Sequence, residues 1–317
     1  MLVSVILFLV GLALIIFGAD YLVDGASAVA RKAGISEFVI GLTIVGMGTS
    51  APEMVVSFLG ALEGNADIAV GNVMGSNIFN TLLILGLTAV LMPMAITPGN
   101  RRKDIPFNIA VTVLLLLLVL KNFYLGGAMK LGRGDGALLL AVFVGYMILS
   151  FRSGKAEETE DKEEKVIRTF PAILMIAGGL AGLIVGGRLF VDNATDIARQ
   201  LGISDKFIAI TILAGGTSMP ELATCVVAAI KKKGQLALGN ILGSNVFNIL
   251  LILGGSALIT PLSFASIDPV DMGVLVLSAV MLLTAVFTGK KNVLDRFDGA
   301  LLLLVEAAYL VWLFMKL

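Results

Sequence analysis

Two blocks of sequence each occur twice in this chain of 317 residues. They are GTSAPE at 48–53 with GTSMPE at 216–221, and GNVMGSNIFN at 71–80 with GNILGSNVFN at 239–248. Both pairs are 168 residues apart. At that offset, residues 11–86 align with 179–254 without a gap, and 35 of the 76 aligned pairs are identical. The chain is therefore an internal duplication.

The composition is that of an integral membrane protein. Apolar residues make up 58% and charged residues 15% of the chain, and the mean hydropathy is +0.99. Soluble domains usually contain about 45–50% apolar and about 25% charged residues. Lysine plus arginine and aspartate plus glutamate each number 23, so no net positive charge favours nucleic acid. Histidine is absent and Cys225 is the only cysteine, so oxygen atoms must hold any bound cation.

Apolar runs of about 20 residues, the length that crosses a bilayer, predict an all-α polytopic membrane protein with ten transmembrane helices. The runs are 2–30, 37–62, 68–94, 104–120, 134–150, 170–198, 205–230, 236–260, 270–288 and 297–315. No basic segment precedes the first run, which is therefore interpreted as a span and not as a cleaved signal. Sixteen lysines and arginines fall on one set of loops and six on the other. The basic set is expected to be cytoplasmic, giving a multi-pass cell-membrane protein with both termini extracellular.

A charged segment divides the spans into two sets of five. Residues 1–150 are predicted to form the first five-helix repeat and residues 170–317 the second, with 151–169 as a solvated cytoplasmic linker. Because five is odd, the second repeat must begin on the opposite side of the membrane. The two repeats are then inverted about an axis in the membrane plane. The loop charges agree with this inversion, because Glu63 lies in a loop expected outside and its equivalent Lys231 lies in a loop expected in the cytoplasm.

Each copy of the first block places a glutamate near the middle of a span. An ionised side chain at that depth costs about 2.5–3.5 kcal/mol and usually serves function, facing a wet cavity. A protonated glutamate bonded to one neighbour is the alternative for Glu53 and Glu221. Pro52 and Pro220 precede them and remove helical hydrogen bonds. With nearby glycines they predict an unwound helix whose free carbonyls point into a cavity, and a simple packing kink is the alternative.

Residues four apart share a helix face, and this spacing gathers side-chain oxygens around both glutamates. The pairs are Thr49 with Glu53, Ser76 with Asn80, Thr217 with Glu221, and Ser244 with Asn248; Ser50 and Ser218 add hydroxyls at the breaks. Four other amides lie on different faces and are expected to bond between helices: Asn72, Asn77, Asn240 and Asn245. Four glycines predict close helix contacts, and not a phosphate loop, because no lysine follows them: Gly71, Gly75, Gly239 and Gly243.

This collection of oxygens suits a hard cation. Calcium takes 6–8 oxygen ligands at about 2.3–2.6 Å, and two glutamates offset its charge. Magnesium, which prefers a tight octahedron and sheds water reluctantly, fits less well. Sodium, with nearly the radius of calcium, can use the same oxygens.

Other intramembrane charges are less informative. Asp20, Asp24, Arg188 and Asp192 lie near span ends, where bonding to neighbouring helices or interfacial water is the expected role. Glu306 in the last span has no repeat partner and no assigned role.

At the repeated blocks the sequence resembles the cation/calcium exchanger superfamily, specifically the prokaryotic type of its sodium/calcium exchanger branch, whose signature is a pair of α-repeats. The resemblance covers essentially the whole chain. It implies that Glu53 and Glu221 bind calcium, with backbone oxygen from Thr49 and Thr217. It implies that these glutamates share sodium sites with Ser50, Ser76, Ser218 and Ser244 and with carbonyls near Gly46 and Ala214. Some potassium-dependent relatives have aspartate where this chain has Asn80 or Asn248, which argues against potassium co-transport.

The expected function is sodium/calcium antiport by alternating access, with the sodium gradient driving calcium efflux. No covalent chemistry, cofactor, nucleotide, nucleic acid or obligate protein partner is expected beyond calcium, sodium and the lipid bilayer. The alternative is a proton-coupled calcium or divalent-cation antiporter, because midplane glutamates also carry protons. A passive channel is disfavoured because no filter or charged pore ring is visible. A purely structural scaffold does not explain paired polar blocks at equal depth.

Overall fold

A computed structural model of the chain describes residues 1–124, 128–153, 167–201, 214–285, 287 and 292–316. The α-helices are α1 (Leu2–Ala33), α2 (Glu37–Ile40), α3 (Gly46–Thr49), α4 (Ala51–Leu62), α5 (Ala66–Phe79), α6 (Leu85–Leu91), α7 (Ile105–Tyr124), α8 (Arg133–Ser153), α9 (Thr169–Gln200), α10 (Ala214–Gly216), α11 (Met219–Ile230), α12 (Gly234–Phe247), α13 (Gly254–Ile259), α14 (Pro269–Ala285) and α15 (Arg296–Met315). Four π-helical turns continue or precede them: π1 (Gly41–Val45), π2 (Asn80–Ile84), π3 (Asn100–Asp104) and π4 (Asn248–Leu253).

Two small antiparallel sheets each join the two halves of the chain. The strands are β1 (Met94–Ala95), β2 (Lys130–Leu131), β3 (Leu262–Ser263) and β4 (Val293–Leu294). Strand β1 pairs with β4, and β2 pairs with β3. Strands β1 and β3 are equivalent at the offset of 168. In each sheet one of these two strands pairs with a strand of the other half.

Long apolar helices make this a multi-pass membrane protein. Seven helical segments among the described ranges are long and apolar enough to span a bilayer: Leu2–Ala33, Ala66–Leu91, Asn100–Lys121, Arg133–Arg152, Thr169–Gln200, Gly234–Ile259 and Arg296–Met315. The bent pair Glu37–Thr49 and Ala51–Leu62 meets the same criteria of length and composition when its two helices are taken together. Two shorter apolar helices, Met219–Ile230 and Pro269–Ala285, lie where the seventh and ninth spans were predicted. Residues 205–213 of the predicted span 205–230, and residues 154–166 of the predicted linker, lie outside the described residues.

The helix boundaries repeat as the sequence does. Helix α4 begins and ends 168 residues before α11, and α5 begins and ends 168 residues before α12. Equal boundaries follow because each copy has the same proline at the start of one helix and the same glycine pattern in the next. The duplication therefore extends from sequence to backbone.

The segments that contain the second block lie at the centre of the molecule. Within its most apolar window, Gly234–Ile259 is 94% buried and Ala66–Leu91 is 72% buried, against 28% for Leu2–Ala33. A helix that is apolar all round but largely exposed faces lipid, whereas these two are enclosed by other helices. Their polar residues are therefore shielded from the bilayer by protein.

Glycines allow the central helices to touch neighbouring backbones. A Cβ atom at Gly243 of α12 would collide with the backbone of Leu42 in π1, and one at Gly239 would collide with Phe38 in α2. The close contacts predicted at these two glycines are therefore present. Small residues permit such approaches in membrane proteins, where dispersion contacts replace the hydrophobic effect.

The equivalent glycines of α5 have no close neighbour among the described residues. A Cβ at Gly71 or Gly75 would have no described atom within 4 Å. Among the described residues the close contacts predicted at these two positions are therefore absent. The segment equivalent to α2 and π1, which the α12 glycines touch, is residues 205–213 and lies outside the described residues.

Substitution of Gly243 by alanine tests the close contact that fixes α12. The added methyl must displace the backbone of Leu42, and overpacking of this kind costs about 1–3 kcal/mol. We expect Gly243→Ala to lower the thermal unfolding temperature of the purified protein in detergent. Gly145→Ala is the control, because Gly145 is exposed on α8 and no described atom would lie within 4 Å of its Cβ. Equal unfolding temperatures for the two variants would contradict the contact.

Candidate cation-binding site

A break in the helix precedes each midplane glutamate. The helical segments Glu37–Thr49 and Ala51–Leu62 meet at Ser50 and are bent by 48° relative to each other. Ser50 has φ −80° and ψ 9°, and its equivalent Ser218 has φ −88° and ψ 9°. The break is more local than the predicted unwound helix. The amide of Ser50 still donates to the carbonyl oxygen of Gly46 at 3.1 Å, so helical bonding continues to the break itself.

Each break places its glutamate in the first turn of a new helix. Pro52 is the second residue of α4 and Pro220 is the second residue of α11, in the first turn, where a missing amide hydrogen costs nothing. Glu53 and Glu221 follow and are 1% and 0% exposed. Amide groups at a helix N-terminus carry partial positive charge, so this position stabilises a carboxylate.

The two glutamates are joined through serines of the opposite half. Ser218 donates to Glu53 Oε1 at 2.9 Å, and Ser50 donates to Glu221 Oε1 at 2.8 Å. Contacts that recur with the partners exchanged are the mark of a two-fold axis between two similar bodies. Each carboxylate is therefore held by the break that precedes the other one.

A second pair of serines completes each carboxylate's partners. Ser76 of α5 donates to Glu53 Oε1 at 3.4 Å, and Ser244 of α12 donates to Glu221 Oε1 at 3.3 Å. The hydroxyl of Ser244 also lies 3.3 Å from the carbonyl oxygen of Gly46. The structure thus gathers predicted site residues from α3, α4 and α5 and from α11 and α12 into one buried cluster.

Asparagines form an amide network that crosses between the halves. Asn80 donates to Asn245 Oδ1 at 3.2 Å, and its equivalent Asn248 donates to Asn77 Oδ1 at 3.0 Å. Asn245 donates onward to the hydroxyl of Thr81 at 2.8 Å. The bonds that orient Asn80 and Asn248 use only their amide nitrogens as donors. Their side-chain oxygens remain available.

Four buried oxygens at this centre have no hydrogen-bond partner among the described residues. They are Glu53 Oε2, Glu221 Oε2, Asn80 Oδ1 and Asn248 Oδ1. They form two pairs at the offset of 168, so the same unpaired acceptors occur in both halves. Buried polar atoms in proteins are nearly always paired, and an unpaired acceptor costs about 1–3 kcal/mol. Acceptors with lone pairs and no donors are what a hard cation requires.

The threonines of the first block contact asparagines of the opposite half. Thr49 donates to Asn240 Oδ1 at 3.1 Å, and Thr217 lies 3.5 Å from Asn72 Oδ1. Asn72 donates in turn to the backbone carbonyl of Glu53 at 3.1 Å. Asn72 and Asn240 therefore bond between helices, as the sequence predicted for them, and they hold the breaks in place.

The two backbone positions predicted for sodium begin equivalent short helices. Gly46 begins α3 and Ala214 begins α10, one turn ahead of the two breaks. The carbonyl of Gly46 lies next to the cluster through Ser244. For Ala214 the structure gives only the backbone position.

The π-helical turns were not predicted from the sequence. Asn80 is the first residue of π2 and Asn248 is the first residue of π4. An extra residue in a helical turn redirects the side chains that follow and is common at functional sites. The sequence NTLLI at 80–84 has the pattern of an ordinary apolar helix, so no residue pattern distinguished this turn.

The site contains two carboxylates and otherwise neutral oxygens. Within the described ranges no group of three or more His, Cys, Asp or Glu side chains could hold a metal ion. With both glutamates ionised, the centre carries a charge of about −2.

Comparison with known proteins identifies the family. The family model described as sodium/calcium exchanger protein matches residues 3–152 and 171–315. The chain belongs to the sodium/calcium exchanger family. It is 33% identical to the sodium/calcium exchanger MaX1 of Methanosarcina acetivorans, over 98% of this chain and 99% of that one. It is 36% identical to the inner membrane protein YrbG of Escherichia coli strain K12, over 89% and 88%.

The fold is also that of a solved exchanger. The sodium-calcium exchanger NCX_Mj, in crystals soaked with sodium and calcium, matches with a TM-score of 0.84 and 31% identity over 98% of both chains. Membership of the sodium/calcium exchanger family gives this chain a cation/calcium exchange activity in a membrane. The family comprises transporters, and the resemblance that the two repeated blocks indicated is confirmed.

Removal of either bridging serine tests the reciprocal arrangement. A hydrogen bond to a charged group contributes about 1.5–3 kcal/mol, so we expect Ser50→Ala and Ser218→Ala each to weaken calcium binding by about tenfold or more. Calcium-dependent thermal stabilisation of the purified protein measures this. Ser278→Ala is the control, because Ser278 is similarly buried but, among the described residues, donates only to the carbonyl oxygen of Leu275 in its own helix. A large effect at one serine and none at the other would contradict the two-fold site.

Proposed function

We propose that this protein is a secondary antiporter that exchanges sodium for calcium by alternating access, with the sodium gradient driving calcium out of the cell. The observation that carries the proposal is the reciprocal pair of buried carboxylates, Glu53 and Glu221, each with one unpaired oxygen. Calcium and sodium are the transported substrates. Their ligands are drawn from these glutamates, the serines that bridge them, the oxygens of Asn80 and Asn248, and backbone carbonyls.

Charge balance explains why transport of one ion requires transport of the other. An empty site with both glutamates ionised carries about −2, and enclosing that charge away from water is costly. One calcium ion brings the total to zero, and three sodium ions, the number usual in the family, bring it to about +1. Either load allows the site to change sides. The bare site does not, so calcium cannot leak back without sodium.

The proposed topology follows from the repeat and the loop charges. Ten transmembrane helices form two inverted five-helix repeats, residues 1–150 and 170–317, joined by a charged cytoplasmic linker at 151–169. Both termini are extracellular and the protein resides in the cell membrane. Equal boundaries of α4 with α11 and of α5 with α12 support the two repeats. The side on which lysines and arginines concentrate supports the orientation.

Neutral residues at two positions argue against potassium as a co-transported ion. Asn80 and Asn248 contribute oxygen but no charge, and each is held by an amide of the opposite half. An additional monovalent cation without an additional carboxylate leaves a larger uncompensated positive charge in a buried site. Exchange is therefore expected to proceed without potassium.

Flux measurements in liposomes distinguish sodium coupling from proton coupling. Vesicles loaded with sodium and diluted into sodium-free medium containing radioactive calcium should accumulate calcium, and vesicles loaded with choline should not. Collapsing any pH difference with an ionophore should leave the uptake unchanged. Uptake that ignores sodium and follows a pH step would favour the proton-coupled antiporter instead.

Neutralising either glutamate should abolish exchange. Glu53→Gln and Glu221→Gln keep the size of the side chain but halve the charge of the site, so neither ion load is balanced as before. The same liposome assay measures the loss. Glu306→Gln is the matched control, because Glu306 is also a buried glutamate within a span, 3% exposed, but lies outside the cluster. Calcium flux that survives in either site variant would overturn the assignment.

A further inference from the structure

Lys231, at the end of the helix α11 that contains Glu221, forms two ion pairs with α1. The ammonium of Lys231 lies 2.6 Å from a carboxylate oxygen of Asp20 and 2.6 Å from one of Asp24. It also donates to the backbone carbonyl of Asp20 at 3.3 Å. Asp20 and Asp24 are one helical turn apart, so both reach the same lysine. We call these three residues the Lys231 clasp.

The clasp connects an outer helix to the helix that positions Glu221. Lys231 directly follows α11, and Glu221 lies in the first turn of that helix. Helix α1 packs closely against α11. None of the three clasp residues belongs to the cation cluster, so the proposed function gives them no role.

The repeat places equivalents of the three clasp residues at the other end of the molecule, and two of them have the opposite charge. At the offset of 168, Asp20 corresponds to Arg188 of α9, and Lys231 corresponds to Glu63 at the end of α4. Asp24 corresponds to Asp192, which remains an acid. The acid Asp20 on α1 is thus replaced by the base Arg188 on α9, and the base Lys231 after α11 is replaced by the acid Glu63 after α4.

The two equivalent contacts differ in this structure. Helix α9 makes at most sparse contact with α4, although the equivalent helices α1 and α11 pack closely. Glu63 and Arg188 are both exposed. In the described part of the chain no ion pair joins them. Ion pairs therefore join α1 to the end of α11, whereas no ion pair among the described residues joins α9 to the end of α4.

We propose that the Lys231 clasp and the Glu63–Arg188 pair are alternate gate contacts, each formed when the cation site is closed to the face on which that pair lies. This rests on the proposed function, because only a transporter with alternating access needs two such states. Inverted repeats give each outer helix the same choice of packing on opposite faces, and exchange of the two arrangements moves access across a fixed site. In the proposed topology the Lys231 clasp closes the cytoplasmic face.

The exposure of the clasp suits a gate. Its side chains are 24 to 48% exposed, so water screens the ion pairs and the contact can be broken during each cycle. Partly exposed pairs shift an equilibrium between two states by only about two- to fivefold. The pairs would therefore set the balance between the states and not lock one of them.

Sided measurements of calcium affinity test the proposal. Right-side-out and inverted membrane vesicles from expressing cells give the apparent KM for calcium at each face. Loss of the Lys231 clasp in Lys231→Gln should favour the state open to the cytoplasm, raising the external KM by about two- to fivefold and lowering the cytoplasmic KM. Arg188→Gln should shift both values in the opposite directions. Opposite shifts at the two faces cannot arise from general damage to the fold.

Further variants keep the test decisive. Asp20→Asn combined with Asp24→Asn breaks the clasp from α1 and should reproduce Lys231→Gln, while Lys231→Arg should resemble the wild type. Lys232→Gln, which removes the same charge from the exposed neighbouring residue, should change neither KM. KM values that shift in the same direction at both faces, or that do not shift in either clasp variant, would contradict the proposed gate contacts. Sodium-dependent exchange by the wild type would still stand in that case. Absence of sodium-dependent exchange in the wild type would instead overturn the proposed function.

Discussion

The structure depends on a pair of hydrogen bonds exchanged between the two halves of the chain. Ser50 of the first half holds Glu221 of the second, and Ser218 of the second holds Glu53 of the first. Two carboxylates buried among helices would be unstable if each had to be stabilised within its own half. Because each is bonded by the helix break of the other, neither half can form the site alone. The duplication is thus a requirement of the chemistry as well as a feature of the sequence.

The packing around this centre holds it in place. Glycines at 239 and 243 bring α12 onto the backbone of α2 and π1, which places Ser244 beside both Glu221 and the Gly46 carbonyl. The amide network of Asn77, Asn80, Asn245 and Asn248 fixes the neighbouring turns while leaving two amide oxygens unpaired. These bonds and close contacts hold the ligand oxygens of both halves next to one another.

Much of this arrangement was predictable from residues, and the failures have physical causes. The offset of 168 identified the duplication, and the positions of Glu53 and Glu221 within apolar runs indicated a polar centre. The pattern around Pro52 predicted more unwinding than occurs, because the amide of Ser50 still completes the preceding turn. The π-helical turns at Asn80 and Asn248 have sequences typical of an ordinary apolar helix, so composition does not reveal them. The ion pairs of Lys231 join residues more than 200 positions apart, a proximity that periodicity does not report.

The central claim is that one calcium ion is shared by two carboxylates from opposite halves of the chain. Anomalous diffraction from crystals soaked in strontium, a heavier ion of the same charge, tests it most directly. We expect a single strong peak within bonding distance of Glu53 Oε2 and Glu221 Oε2, which disappears when the soak contains excess sodium. A peak bound to only one of these carboxylates, or located elsewhere in the molecule, would contradict the claim.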